Sequence, residues 1–256
     1  MSKKVLTIAM ALALVLGLSG LALADGNISE VDQTGTDNEA TVSQVGSDND
    51  ATIVQTSSVV PSGNVATQTQ VGSGNIAYIE QIDATSGNTA TQNQMGTGNE
   101  ATITQDESAT GSLSSQTQDG SGNIADIWQS GSAAMAVQNQ SGADNWAYIG
   151  QNGVGNEAYQ TQDGIGNIAF IDQWTSGNYA WQDQGSGGAD GNWAKILQSG
   201  GDGNVAYQTQ IGDGNDALAD QNGSGNFSSQ LQTGDYDSST VSQVGTGNVS
   251  VVTQSN

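Results

Sequence analysis

The chain has 256 residues, with 36 glycines, one proline and neither cysteine nor histidine. Without cysteine there is no disulfide framework, and without cysteine and histidine the common nucleophile–base pairs of covalent catalysis are absent. Only 11% of the residues are charged, yet the formal net charge is −23, so we do not expect binding to nucleic acid or insertion into an anionic membrane.

The first predicted element is a secretory signal peptide over residues 1–24. Lys3 and Lys4 form a basic start, and residues 5–18 are mostly apolar. An A-x-A motif at residues 22–24 then provides a cleavage site. A transmembrane anchor is the weaker alternative, because the apolar run is short for spanning a bilayer. We therefore expect an exported protein whose mature chain, residues 25–256, is a single repeat domain.

From Asn27 onward the chain repeats the unit N-x-A-x-x-x-Q, usually followed by a turn of the form x-G-x-G. Twenty units can be aligned, most of them 11 residues apart, and the extra residues of longer steps fall in the turns. Like residues at alternate positions are typical of a strand. We predict seven-residue strands in which near-constant positions 1, 3, 5 and 7 face inward and variable positions 2, 4 and 6 face outward.

Position 5 alternates between isoleucine and glutamine along the middle of the chain, so the true period is two units. Two strands of different character therefore make one rung, and like residues of successive rungs stack about 4.8 Å apart. The sequence predicts an all-β fold: a β-solenoid of about ten strand–turn–strand rungs, with two stacked parallel sheets and the cross-β geometry of a fibre-forming protein.

A buried amide without a partner costs about 1–3 kcal/mol, but amides stacked in register can each donate to one copy and accept from another. We therefore predict inward ladders. Their members at positions 1 and 7 include Asn75, Gln81, Asn99, Gln105, Asn123, Gln129, Asn145, Gln151, Asn167 and Gln173. At position 5 one ladder contains Ile79, Ile103, Ile127, Ile149, Ile171 and Ile196, and the other contains Gln68, Gln92, Gln116, Gln138, Gln160, Gln182 and Gln208.

The pattern Q-x-G-x-G-N-x-A-x-x-x-Q occurs unbroken at residues 70–81, 94–105, 118–129, 162–173 and 210–221. In these residues the chain resembles the curlin repeat family, the subunits of bacterial curli amyloid fibres. The resemblance implies a secreted β-solenoid subunit, and not an enzyme, that polymerises into extracellular fibres for biofilm matrix and adhesion. It also implies two partners besides the chain itself: a nucleator subunit and an outer-membrane secretion channel.

The predicted ends of the stack differ from its middle at position 5. Val31 and Val42 occupy this position in the first rung, and Val241 and Val252 occupy it in the last. No capping segment of the kind that protects soluble solenoids is recognisable. We expect these apolar rungs to join subunits head to tail, the first rung of one molecule stacking on the last rung of another.

The outward positions include an aromatic group in the second half of the chain. The predicted outer aromatic face consists of Tyr148, Phe170, Tyr159, Trp181 and Tyr207. On alternate rungs, Tyr148 should lie under Phe170, and Tyr159 under Trp181 and Tyr207. One interpretation is a surface for lateral bundling or for glycans. The favoured interpretation is ring stacking that stabilises the sheet.

No cofactor or metal is expected. Structural calcium is the alternative, and its candidate ligands are the turn residues Asp37, Asp48, Asp202 and Asp213, but the acids do not fall in a constant column. The favoured interpretation is charge that keeps the secreted monomer soluble, which predicts faster assembly as the pH falls towards about 4.

The alternative function is a monomeric β-solenoid binding module, such as an adhesin or an ice-binding face. Regular columns of threonine would favour it, and Thr67 with Thr69 and Thr102 with Thr104 are the candidates. The bulky side chains of Tyr148, Trp181 and Lys195 interrupt such columns.

Overall fold

A computed structural model describes residues 26–57, 63–82, 86–106, 109–185 and 190–255. The signal peptide predicted at residues 1–24 lies outside these ranges and stays a prediction. Within the same ranges, no helix is long and apolar enough to cross a membrane.

Twenty strands make up the described chain, and they alternate between two sheets. Sheet A contains β1 (Ile28–Thr34), β3 (Asp50–Thr56), β5 (Ile76–Ile82), β7 (Glu100–Gln105), β9 (Ile124–Gln129), β11 (Trp146–Gln151), β13 (Ile168–Gln173), β15 (Trp193–Ser199), β17 (Asp216–Asn222) and β19 (Ser238–Val244). Sheet B contains β2 (Glu39–Ser47), β4 (Val65–Ser73), β6 (Thr89–Thr97), β8 (Leu113–Ser121), β10 (Met135–Ala143), β12 (Glu157–Ile165), β14 (Tyr179–Gln184), β16 (Val205–Ile211), β18 (Phe227–Thr233) and β20 (Val249–Ser255).

Each strand pairs in parallel with the strand two places along the chain. The molecule is therefore a β-solenoid of ten rungs, from rung 1 (β1 and β2) to rung 10 (β19 and β20). The register keeps the sequence positions aligned, so that Ile149 pairs with Ile171 and Gln138 with Gln160. The predicted fold is confirmed.

The strands differ from the predicted seven residues in one systematic way. Six early strands of sheet B are nine residues long, because parallel pairing continues into the following turn. Gly46 pairs with Gly72, and Gly72 with Gly96. The turn is thus part of the stacked structure and not a free loop.

Both positions of the x-G-x-G turn favour glycine, but the main physical reason differs between them. A Cβ added at Gly96 would lie 1.9 Å from the carbonyl oxygen of Gly120 in the next rung, so only glycine permits this spacing, and Gly96 also has a positive φ of 115°. Gly98 has open space around its Cα but adopts a φ of 64°, the left-handed region that glycine enters at little cost. Asp48 and Asp144 adopt the same conformation at this second site, with φ of 56° and 54°.

Amide side chains outnumber apolar side chains in the interior. In β3, for example, the inward residues are buried, and the outward residues between them are only partly buried. The isoleucine column of sheet A packs against alanines of sheet B, and Ile79, Ile103 and Ala90 are fully buried. Because the alanine side chain is small, the two sheets approach closely. Each sheet contributes a single layer of side chains to the interior.

Candidate functional site

Three columns of glutamine run through the interior as continuous hydrogen-bond ladders. In each column, Nε2 of one glutamine donates to Oε1 of the glutamine in the next rung, at 2.7–3.0 Å. The position-5 column of sheet B contains Gln68, Gln92, Gln116, Gln138, Gln160, Gln182 and Gln208 and continues to Gln230. The position-7 column of sheet A includes Gln81, Gln105, Gln129, Gln151 and Gln173.

The asparagine column of sheet A is equally regular but has the opposite direction. It includes Asn75, Asn99, Asn123, Asn145 and Asn167, and each backbone N–H donates to Oδ1 of the asparagine in the preceding rung. Nδ2 of Asn99 and of Asn123 makes the same contact at 3.1 Å. These residues lie immediately before the strands, at the corner of each rung.

The corresponding column of sheet B is interrupted where the sequence departs from the repeat. Ser112 keeps part of the ladder, since its backbone N–H donates to Asn88 Oδ1 at 2.9 Å and its hydroxyl accepts from the N–H of Ala134 at 3.2 Å. Ala134 has no side-chain oxygen to offer Asn156 in the next rung. The interruption is confined to rungs 4 and 5 and leaves the glutamine columns intact.

The apolar column at position 5 of sheet A contains Ile79, Ile103, Ile127, Ile149, Ile171 and Ile196, all with 0% exposure. Val31 and Val241 lie at its two ends, in β1 and β19. In sheet B, Val42 and Val252 lie beyond the ends of the glutamine column. Gln68 Oε1 consequently has no hydrogen-bond partner, because its neighbour in rung 1 is a valine.

Both end faces of the described stack carry unpaired edges, and their hydrogen-bonding groups are complementary. Position-2 N–H groups donate to position-1 carbonyls of the next rung, from Ile28 N to Asn49 O through Phe227 N to Asn248 O. The equivalent N–H groups of Ser238 and Val249 in rung 10 have no following rung within the described residues.

The side-chain ladders give the same complementarity. Gln33 and Gln44 in rung 1 each donate to rung 2 through Nε2, so their Oε1 atoms face the open end. At the other end, Gln221 and Gln232 donate to the glutamines of rung 10, whose own Nε2 groups have no further glutamine to reach in the described chain. In the glutamine columns, rung 10 therefore offers donors where rung 1 offers acceptors.

The predicted outer aromatic residues pair from rung to rung in two columns, as the register of the repeat indicates. Tyr148 and Phe170 pair on sheet A with ring centroids 6.3 Å apart. Tyr159, Trp181 and Tyr207 pair in succession on sheet B. Odd and even strands belong to different sheets, so the two columns lie on two different outer surfaces.

The sheet B surface is a continuous aromatic strip because two further outward residues, Tyr179 and Phe227, join the column. Tyr179 lies between the rings of Tyr159 and Tyr207, at 5.8 and 5.5 Å, and Phe227 extends the strip at 6.0 Å from Tyr207. The register could have found both, since position 2 of one rung neighbours position 4 of the next.

Several outer acids are partly buried by these aromatic side chains and by their neighbours. Burial raises the pKa of Asp126, with a further contribution from the charge of Glu100. Burial also raises the pKa of Asp172, although a hydrogen bond from Trp174 and the charge of Lys195 oppose it. Tyr148 lies between the two carboxylates, and burial together with their charge raises its pKa to about 12.

The turn acids are more ordered than the sequence indicates. The N–H of Asp190 donates to Oδ1 of Asp213 at 3.0 Å, and the N–H of Asp213 donates to Oδ1 of Asp235 at 3.0 Å. These three acids form a column, whereas Asp37, Asp48 and Asp202 lie in other turns. Across the described ranges, no group of three or more acidic, histidine or cysteine side chains has an arrangement suited to a metal ion.

A family model of the curlin associated repeat matches residues 25–56, which cover β1 to β3. Residues 25–56 carry the curlin associated repeat. The resemblance seen in the sequence is therefore confirmed, and the curlin repeat family consists of structural fibre subunits rather than enzymes. No curated protein matches the chain. Since the same ladders continue to β20, the curlin repeat and the β-solenoid together indicate a curli-like structural subunit.

Proposed function

We propose that this protein is a secreted structural subunit that assembles head to tail into curli-like extracellular fibres, which serve in biofilm matrix and adhesion. The observation that carries the proposal is the complementarity of the two end faces. Rung 10 presents donors in the glutamine columns and at the position-2 backbone, and rung 1 presents the matching acceptors.

The apolar side chains at the ends support the same mode of assembly. Val241 and Val252 line an open depression between β19 and β20. Val31 is 46% exposed in rung 1. Stacking rung 1 on rung 10 would bring the four valines, including Val42, into one buried layer and remove apolar surface from water. The chain itself is thus its principal partner.

The curlin repeat supports the remaining parts of the proposal. We propose export through an outer-membrane channel and seeding by a related nucleator, as the resemblance implies. The predicted signal peptide and the negative net charge of −23 are consistent with a subunit that stays soluble until it reaches the cell surface.

The test is assembly of the chain without its predicted signal peptide, residues 25–256. Thioflavin fluorescence should rise after a lag, electron micrographs should show fibres at the plateau, and preformed seeds should abolish the lag. A flat fluorescence trace from a monomer that retains β-sheet circular dichroism would overturn the proposal.

A second candidate, a monomeric binding module, is favoured by one surface of sheet B. Thr41, Thr67, Thr91 and Ser115 pair in succession across rungs 1 to 4, with none of them buried. Thr102, Thr104, Tyr148 and Lys195 belong to sheet A and lie outside this column. Trp181 does interrupt it, because the column continues from Ser115 through Val137 and Tyr159 to Trp181. A stable monomer that shows thermal hysteresis in ice-growth assays would support this candidate in place of fibre formation.

A further inference from the structure

Rung 10 departs from the asparagine pattern at the corner that precedes β19. The asparagine column of sheet A runs from Asn27 to Asn215 and then ends in Asp237. Asp237 is only 9% exposed, and its Oδ2 atom has no hydrogen-bond partner. A buried carboxylate oxygen without a donor is costly, so this residue requires an explanation.

The other corner of the same rung shows what the substitution changes. There Asn248 donates through Nδ2 to Asn226 Oδ1 at 3.0 Å. Asp237 keeps the backbone contact, its N–H donating to Asn215 Oδ1 at 2.8 Å. An ionised carboxylate has no N–H with which to make the side-chain contact. Within its own molecule, Asp237 therefore makes one hydrogen bond fewer to the preceding rung than asparagine would make.

What Asp237 gains is a stronger acceptor towards the open end. Inside the stack, each new asparagine brings two donors to the rung before it: Asn49 donates to Asn27 Oδ1 through its backbone N–H at 2.9 Å and through Nδ2 at 3.1 Å. In a second copy stacked on rung 10, Asn27 would bring the same two donors to Asp237. Hydrogen bonds to a carboxylate are about twice as strong as those between neutral groups.

We infer that Asp237 is the acceptor that receives Asn27 of a second copy and so specifies the joint between subunits. The inference rests on the proposed function and names the residues of its interface. The column then continues across the joint without a change of register, and the backbone N–H and Nδ2 of Asn27 both meet the Asp237 carboxylate, as those of Asn49 both meet Asn27 Oδ1 within the stack.

The neighbouring turn residue fits the same joint. Tyr236 has a φ of 60°, and its ring lies over Gly214 of the preceding rung, within 2.8 Å of where a Cβ would be. Asp48 covers Gly26 and Asp144 covers Gly122 in the same way. A side chain in this column thus needs a glycine in the preceding rung. Because rung 1 of the second copy presents Gly26, nothing from it would lean onto Tyr236.

The experiment measures the monomer concentration that remains when seeded assembly of residues 25–256 reaches its plateau. Asp237→Ala should raise this concentration about tenfold or more, since it removes charge-assisted hydrogen bonds at every joint. Asp237→Asn keeps an acceptor oxygen but loses the charge, so its plateau concentration should fall between those of the wild type and Asp237→Ala. Asp216→Ala, an exposed acid in rung 9 with the same charge change, is the matched control.

A double-mutant cycle separates the joint from a folding defect. Asn27→Ala, at the opposite end of the chain, removes the Nδ2 donor but keeps the backbone N–H, so its loss should be smaller than that of Asp237→Ala. In the Asp237→Ala background, Asn27→Ala should add little further loss. Asn38→Ala should add to Asp237→Ala, because Asn38 would stack on Asn248 in the other column.

The outcomes distinguish the two proposals. A wild-type chain that stays monomeric overturns both of them. If the wild-type chain assembles, either of two results overturns this inference alone. One is an Asp237→Ala variant that is indistinguishable from Asp216→Ala, and the other is additive effects of Asn27→Ala and Asp237→Ala.

Discussion

Buried glutamines are tolerated in this fold because the rungs on either side satisfy their amides. Gln116 illustrates the point: Nε2 donates to Thr102 O and to Gln138 Oε1, and Oε1 accepts from Gln92, all at 2.9 Å. A single rung could not supply those partners. The polar interior is thus a consequence of repetition, and the ladder is the smallest unit on which stability depends.

Gln116→Leu should therefore lower the free energy of unfolding by more than the contribution of the Gln116 side chain alone, because its neighbours lose their partners as well. It leaves a carbonyl and two amide groups short of a partner, and each costs about 1–3 kcal/mol. Thr117→Val, at the outward neighbour, should change the free energy of unfolding by no more than about 0.5 kcal/mol. Guanidinium titrations followed by circular dichroism measure both, and equal midpoints would contradict the ladder argument.

The turn glycines give a second matched pair. Gly96→Ala places a Cβ 1.9 Å from the Gly120 carbonyl oxygen, whereas Gly98→Ala meets no atom within 4 Å. The second change should cost only the backbone penalty of about 1–2 kcal/mol. The first should add an overpacking cost of about 1–3 kcal/mol or more. If the two variants melt at the same temperature, close rung-to-rung contact does not explain the first glycine.

The partly buried outer acids predict a pH dependence of stability. Burial raises the pKa of Asp126, Asp172 and Asp183, with the charge of Asp163 adding to the effect at Asp183. The folded state then holds these protons to a higher pH than the unfolded chain does. Stability should therefore rise as the pH falls through the raised pKa values and level off below the ordinary aspartate range near about 4.

The check is a triple variant in which Asp126, Asp172 and Asp183 become asparagine. Its free energy of unfolding should depend less on pH between neutrality and about pH 4 than that of the wild type. The matched control changes three exposed acids, Asp37, Asp119 and Asp216, to asparagine. A control that flattens the profile as strongly as the triple variant would show that net charge, not burial, sets the dependence.

At the scale of the elements, the repeating unit is the two-strand rung and not the single strand. Sheet A stacks isoleucine and sheet B stacks glutamine at position 5. Removing residues 134–155 deletes one whole rung and should let β8 pair with β12 without changing any column. Removing residues 134–144 deletes one strand and exchanges the sheets of all later strands, so that glutamine faces isoleucine.

The whole-rung deletion should therefore retain assembly, and the half-rung deletion should abolish it or slow it severely. Buried glutamines next to isoleucines lose their ladder partners, at about 1–3 kcal/mol for each unsatisfied group. Thioflavin kinetics and micrographs of the two variants provide the measurement. Equal assembly would mean that the columns do not need to match.

Much of this arrangement could be predicted because the inward residues repeat strictly. The alternation of Ile171 with Gln182 was enough to assign two sheets and their columns. The outer surfaces are harder to predict, because the outward residues do not repeat. Tyr148 and Tyr159 are assigned to different sheets only when each position is traced to its strand. The role of Asp237 could not be seen at all, because it depends on an orphaned oxygen and not on a pattern.

At the scale of the whole molecule, the main property is that a stack of like rungs has two unlike ends. The ladders have a direction, from the glutamine donors of rung 1 to those of rung 10. Two subunits can therefore continue one stack only in the same orientation. A fibre built in this way would be polar, with one kind of joint repeated along its length.

The end rungs should consequently matter more for growth than any internal rung does. Deleting residues 237–256 removes β19 and β20, and with them Val241, Val252 and Asp237, while leaving rung 9 as a new open edge. Any β-edge offers backbone donors, so some growth should persist. The loss of the apolar layer and of the acidic acceptor should nevertheless slow seeded elongation sharply. The internal deletion of residues 134–155 shortens the stack equally and is the matched control; equal elongation rates for the two deletions would mean that the joint has no specific residues.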